Sequence, residues 1–95
     1  MEQYTIDFNG VTTYWYFYEA IIKGLRFPDW CGKNLDAIWD LVTGGMGIPA
    51  VIFIKGLHSL PKDLEREKKL LLETFDEAVD WFADINESLT IKIID

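Results

Sequence analysis

Apolar positions in this chain switch between a period of two and a period near 3.6, and the switches mark out six elements. Tyr4-Thr5-Ile6-Asp7-Phe8 alternates, imperfectly, and ends at Asn9-Gly10, which predicts a first strand and a turn. Thr12 or Thr13 is placed to cap the next element. The run Tyr14-Trp15-Tyr16-Phe17-Tyr18 has a strand-like composition, yet Tyr14, Phe17, Tyr18, Ile21 and Leu25 recur at helical spacing, so a helix to about Gly24 is expected. A loop from Arg26 to Gly32 follows, where Pro28 biases Phe27 towards extended backbone and Gly32 permits a tight bend.

A second, short helix runs from Asn34 to Gly44. At about 100° per residue, Asp36, Asp40 and Thr43 fall within a sector of roughly 60°, while Leu35, Ile38, Trp39, Leu41 and Val42 crowd the other side. Asn34 suits the N-cap, and Asp36 sits in the first turn, where negative charge is favoured. Gly44, followed by Gly45 and Gly47, is expected to stop the helix. Ala50-Val51-Ile52-Phe53-Ile54 is apolar without alternation, as for a central strand covered on both faces or flanked by neighbours.

Lys55 to Pro61 reads as a loop or short helical turn. Lys62 to about Phe82 reads as a long helix whose buried stripe is Leu64, Leu71, Phe75, Ala78, Val79 and Phe82, and Leu89 to Ile94 as a last strand. The order β-α-α-β-α-β with helical crossovers predicts an α/β fold: two layers, a three-stranded parallel sheet with packed helices, in a single domain over residues 1–95.

Charge narrows the partners. Nine basic against sixteen acidic side chains give a formal net charge of -7, which opposes direct binding to nucleic acid, where phosphate neutralisation supplies most of the affinity. The longest apolar run, Ile48 to Ile54, is far short of the ~20 residues of a spanning helix. The start Met-Glu-Gln-Tyr-Thr-Ile-Asp lacks the basic and apolar regions of a signal peptide, and Cys31 is the single cysteine; a cytoplasmic protein is the expectation. Five consecutive aromatics cannot all face inward on a helix, which leaves Trp15 or Tyr16 as a candidate self-association surface.

Reactive groups are few. His58, the only histidine, is followed by Ser59, but adjacent loop residues seldom form a working base and nucleophile. Cys31 lies near Asp29 and Asp36, which oppose a thiolate, so packing is its better role. Asp36 and Asp40, one helical turn apart, have the ~5–6 Å spacing of a retaining glycosidase pair, so a carboxylate-pair or metal-dependent hydrolase stands as an alternative. Two oxygen donors fall short of a usual cation site, so no metal and no cofactor are expected. A noncatalytic acidic interaction module is the other alternative.

The run from Pro28 to Gly44, with its core Gly32-Lys33-Asn34-Leu35-Asp36-Ala37-Ile38-Trp39-Asp40-Leu41-Val42-Thr43-Gly44 and its continuation to Ile48-Pro49 and an apolar strand, closely resembles the barstar family of intracellular ribonuclease inhibitors. The element order matches that family across nearly the whole chain; Lys55 to Leu72 is the weakest stretch. The resemblance implies a non-enzymatic immunity protein, or antitoxin, that occupies the active site of a secreted ribonuclease, or a related nuclease toxin, in a 1:1 complex inside the producing cell.

The resemblance also implies roles. Asp40 looks like the principal carboxylate, standing in for an RNA phosphate among the enzyme's cations, and Asp36 like a second acidic contact aimed at an arginine. Thr43 and Gly44 resemble contacts at the end of the binding helix, and Asn34 one at the rim. Trp30 stands where the family commonly has a tyrosine that packs on the catalytic histidine. Glu77 resembles a peripheral carboxylate on the last long helix. Gly45 replaces a tryptophan of the best-known member and Cys31 a second aromatic, departures that bear on which nuclease is bound.

Overall fold

The computed structural model describes residues 1–94. Three strands, β1 (Glu2–Asp7), β2 (Ala50–Lys55) and β3 (Leu89–Ile93), form one parallel sheet with β2 in the middle. Strand order equals chain order, so right-handed crossovers carry all three helices, α1 (Tyr14–Gly24), α2 (Leu35–Gly45) and α3 (Glu65–Asp84), to one face. The result is the expected two-layer α/β architecture.

Register aligns Tyr4, Ile52 and Ile91 across the sheet, then Ile6, Ile54 and Ile93. Most of these side chains meet the helices in one buried cluster with Phe17, Ile21, Ile38, Val42, Leu71 and Phe75. The alternation in β1 is cleaner than its sequence suggests: Tyr4, Ile6 and Phe8 are buried and Gln3, Thr5 and Asp7 exposed. Phe8 stacks on Phe17, with ring centroids 5.0 Å apart, which joins the end of β1 to α1.

The unbroken apolar run of β2 comes from its neighbours on both sides, not from cover on both faces. Val51 lies outside the main cluster and, with Phe53, lines the open face beside Gln3, Thr90 and Lys92.

Three further expectations need correction. Tyr14 does not belong to the buried stripe of α1; it is 49% exposed at the first turn, while Ile22 takes a buried place the spacing argument left out. Gly44 does not end α2, which runs on through Gly45. Neither glycine has positive φ, and a Cβ at Gly44 would meet nothing within 4 Å, so the backbone is free to stay helical there. The long helix starts at Glu65, after a tighter turn over Lys62–Leu64, and Val79 is only half-buried. Thr13 supplies the α1 cap by accepting from the Tyr16 amide at 3.2 Å.

Candidate functional site

Helix α2 carries the acidic ridge, and each part of it is held by a different device. At its start the Asn34 side-chain oxygen accepts from the Ala37 amide at 2.8 Å, satisfying a donor that the helix itself cannot. Gly32 makes the preceding bend: a Cβ there would come within 3.1 Å of the Asn34 amide nitrogen and 3.2 Å of Ala37 Cβ. Along its back Ile38 and Val42 are fully buried, with Leu35, Trp39 and Leu41 partly so. Trp39 meets Trp81 of α3 edge to face, centroids 6.4 Å apart, and Trp81 in turn meets Phe82.

Asp36 and Asp40 are both exposed, and among the described residues neither enters an ion pair or a side-chain hydrogen bond. Thr43 is less available: its hydroxyl donates to the Trp39 carbonyl at 2.8 Å, which directs its proton back into the helix. Gly44 and Gly45 expose backbone at the far end of the ridge. Trp30, in the loop before α2, is 77% exposed. Glu77 of α3 is brought to the ridge, since Leu35, Asp36, Trp39, Thr74 and Glu77 line one hollow between α2 and α3.

Sequence reasoning missed the clasp on the loop before α2. Lys33 Nζ lies 3.1 Å from the Glu19 carboxylate and 4.0 Å from the centroid of the Trp15 ring, and the Tyr14 hydroxyl donates to the Lys33 carbonyl at 3.3 Å. Aromatic residues left over from the core of α1 therefore anchor the entry to α2. No spacing rule signals a contact between residues fourteen to nineteen positions apart in an irregular loop.

The alternative chemistries gain little. Burial pushes the Cys31 thiol up, against a smaller opposing pull from Lys33, so the thiolate is disfavoured. The Ser59 hydroxyl donates to the Gly56 carbonyl at 2.7 Å, which occupies its proton. Among the described residues no three His, Cys, Asp or Glu side chains gather as a metal site, and no helix is long and apolar enough to cross a membrane.

Comparison with known proteins adds two findings. The family model described as "Barstar (barnase inhibitor)" matches residues 1–94. A Bacillus subtilis (strain 168) protein named "Putative ribonuclease inhibitor YrdF" is 30% identical over 78 residues, covering 82% of this chain and 82% of its own length. With the parallel sheet, the helix order and a family match along almost the entire length, the chain belongs to the barstar family.

Proposed function

We propose that this protein inhibits a barnase-like secreted ribonuclease, 1:1, from within the cytoplasm of the producing cell, by presenting the α2 ridge as a phosphate mimic. The observation that carries the reading is a pair of exposed carboxylates, unpaired among the described residues, on a helix anchored from behind by the buried Ile38 and Val42. A ribonuclease active site gathers cations to stabilise a phosphate-centred transition state. Anions already held in place satisfy those cations at little ordering cost and cover the cleft, so inhibition needs no bond to form or break.

In this reading Asp40 enters the cleft, Asp36 and Glu77 face cations at its edge, and Trp30 packs on the catalytic histidine. Asn34, Thr43, Gly44 and Gly45 complete the rim, with the backbone at Gly45 replacing an aromatic contact. The net charge of -7 supports encounter with a cationic enzyme at rates towards ~10⁸–10⁹ M⁻¹s⁻¹ at low salt.

The test is titration into barnase while RNA cleavage is followed, with Asp40→Ala, Asp36→Ala and Glu77→Ala alongside the unaltered chain. Stoichiometric inhibition is expected, with the largest loss for Asp40→Ala and the smallest for Glu77→Ala. The scale is that of interface hot spots, roughly 2–8 kcal/mol, whose upper end was itself measured on the barnase–barstar pair. RNA turnover by this chain alone, or equal small losses from all three variants, would refute the reading.

A further inference from the structure

Exposed aromatic side chains gather beside the start of α2. Tyr14 and Trp15 lie in the first turn of α1, and Trp30 in the loop that precedes α2; Trp15 is 58% exposed. Both α1 residues meet Lys33, the residue before the Asn34 cap: the Tyr14 hydroxyl donates to its carbonyl, and its ammonium lies over the Trp15 ring. We propose that Trp15, with Tyr14 beside it, extends the nuclease-binding surface from α2 onto α1 and packs on an apolar loop at the rim of the ribonuclease's cleft. The proposal rests on the inhibitor reading above and adds to it a contact on an element that carries none of the acidic ridge.

Area calls for such an extension. Helix α2 has 11 residues, which makes it about 16 Å long, and at ~10 Å across it presents on the order of 160 Å² of footprint. A specific complex covers ~800 Å² on each partner. Trp30 and Glu77 widen the surface but leave it short, so a complex of ordinary size also covers ground beside α2. The surroundings of α2 are unequal. At its far end Gly44 and Gly45 offer backbone alone, and on the α3 side Trp81 is engaged by Trp39 and Phe82. At its near end stand Tyr14 and Trp15, and continuity is direct, since Tyr14 lines one hollow with Asn34 and Asp36.

The chemistry of the near end suits an apolar contact. Lys33 steadies the Trp15 ring, and Tyr14 is held by its hydroxyl bond and by its ring against Tyr18, centroids 4.9 Å apart. Rings already held in place lose little freedom on binding, and such aromatics are the usual anchors of an interface. The cation beside them is paired with Glu19 at 3.1 Å, so the spot is aromatic and electrically quiet, as interface cores are. Tyr16, about 100° further round α1, lines a hollow with Asn9, Gly10 and Val11 and falls outside the proposed contact. Charge selects the occupant. A second copy would bring its own net charge of -7 to the acidic side of the molecule, whereas a cationic nuclease is drawn there and carries the rim of its cleft to Trp15.

The experiment has two arms. In the first, association and dissociation rates with barnase are measured at low and high salt for the unaltered chain, Trp15→Ala, Trp15→Phe and Asp40→Ala, with thermal melts as a folding control. Trp15→Ala should speed dissociation about tenfold and leave the salt dependence of association as it was, because it removes an apolar contact and no charge. Trp15→Phe should recover part of the loss. In the second arm the chain carries 5-fluorotryptophan, and the Trp15 fluorine resonance is the one that Trp15→Phe removes. Its relaxation by a soluble paramagnet is followed with and without barnase, and a severalfold drop in the complex is expected. This arm reads burial of the ring itself and needs only the unaltered chain and the conservative variant to fold.

Inhibition of barnase with a Trp15 ring as accessible as in the free chain, or with a dissociation rate that Trp15→Ala leaves unchanged, overturns the proposal while the inhibitor reading stands. Protection of Trp15 that grows with the concentration of the free chain, without barnase, assigns the ring to a second copy and overturns it as well. A chain that fails to inhibit barnase at all refutes the inhibitor reading, and the contact proposed on α1 falls with it.

Discussion

Replacing Asp40 by alanine should make the free protein more stable while ruining it as an inhibitor, and the two effects can be worked out separately. Asp40 lies one turn beyond Asp36 on the same face of α2, and like charges at that spacing cost roughly 0.2–0.5 kcal/mol. Alanine is also the better helix former at a mid-helix position, by up to ~0.7 kcal/mol. Nothing offsets these gains, since the Asp40 carboxylate makes no ion pair or side-chain hydrogen bond among the described residues. Together they come to about 1 kcal/mol, a rise of roughly 4–8 °C in melting temperature for a domain of this size. Far-UV circular dichroism melts at low and high salt measure the rise, and salt should shrink the like-charge share of it. A melting temperature that falls would mean that Asp40 supports its own fold, and a ridge employed internally is not one held ready for a nuclease.

Three other outcomes follow from the same geometry. Asn34→Ala removes the cap that accepts from the Ala37 amide and should cost about 1 kcal/mol in urea unfolding, whereas Asn34→Ser should recover most of it. Gly44→Ala should stabilise the chain by roughly 0.5–1 kcal/mol, because Gly44 is helical and its added Cβ meets open space; a loss of stability would show that the helical end of α2 is misassigned. Burial raises both the Cys31 thiol and the Tyr18 phenol, so the folded chain holds those protons more tightly than the unfolded one. Their contribution is fully present below the ordinary thiol range, near about pH 8.5, and is lost as pH rises beyond it. Urea midpoints should therefore decline from pH 8 to pH 10, and Cys31→Ala should flatten the first part of that decline.

What the sequence disclosed, it disclosed through periodicity and local chemistry. The Tyr4, Ile6 and Phe8 alternation, the Ile38 and Val42 stripe and the Asn34 cap each depend on neighbours within a few positions, and all three are present in the fold. Gly44 and Gly45 misled because glycine is read as a helix stop, while at the last turn its cost is small enough for packing of the preceding residues to override. Tyr14 misled because helical spacing says which residues share a face but not how far that face extends under a neighbour. Glu67 gave no signal at all: within Glu65-Arg66-Glu67-Lys68-Lys69 it is indistinguishable from a solvated helix surface, yet in the fold the residue is half-buried and one of its carboxylate oxygens, Oε2, is shut off from solvent. The placing of Glu77 beside Asp36 likewise depends on how α2 lies against α3.

In the proposed reading the ridge anions must be kept from the chain's own cations, and the one nearest in sequence is diverted. Lys33 is the basic residue closest in sequence to Asp36, only three positions away, a spacing at which helical charges pair. It lies just before the helix begins, drawn back onto Glu19 and the Trp15 ring, with its carbonyl accepting from Tyr14. Arg26, at the end of α1, is engaged by Glu2 and the Tyr4 ring, and Lys68 lies at the edge of contact with Glu65. Each of these pairs is worth little as stabilisation, being largely at the surface. Their effect is electrostatic placement: Lys33 is held on Glu19 and off the α2 ridge, while Arg66, which lines a hollow with Asp36, makes no ion pair with it among the described residues. The clasp that steadies the entry to α2 thus also holds Lys33 off the ridge, so in the proposed reading one structural device contributes both rigidity and charge.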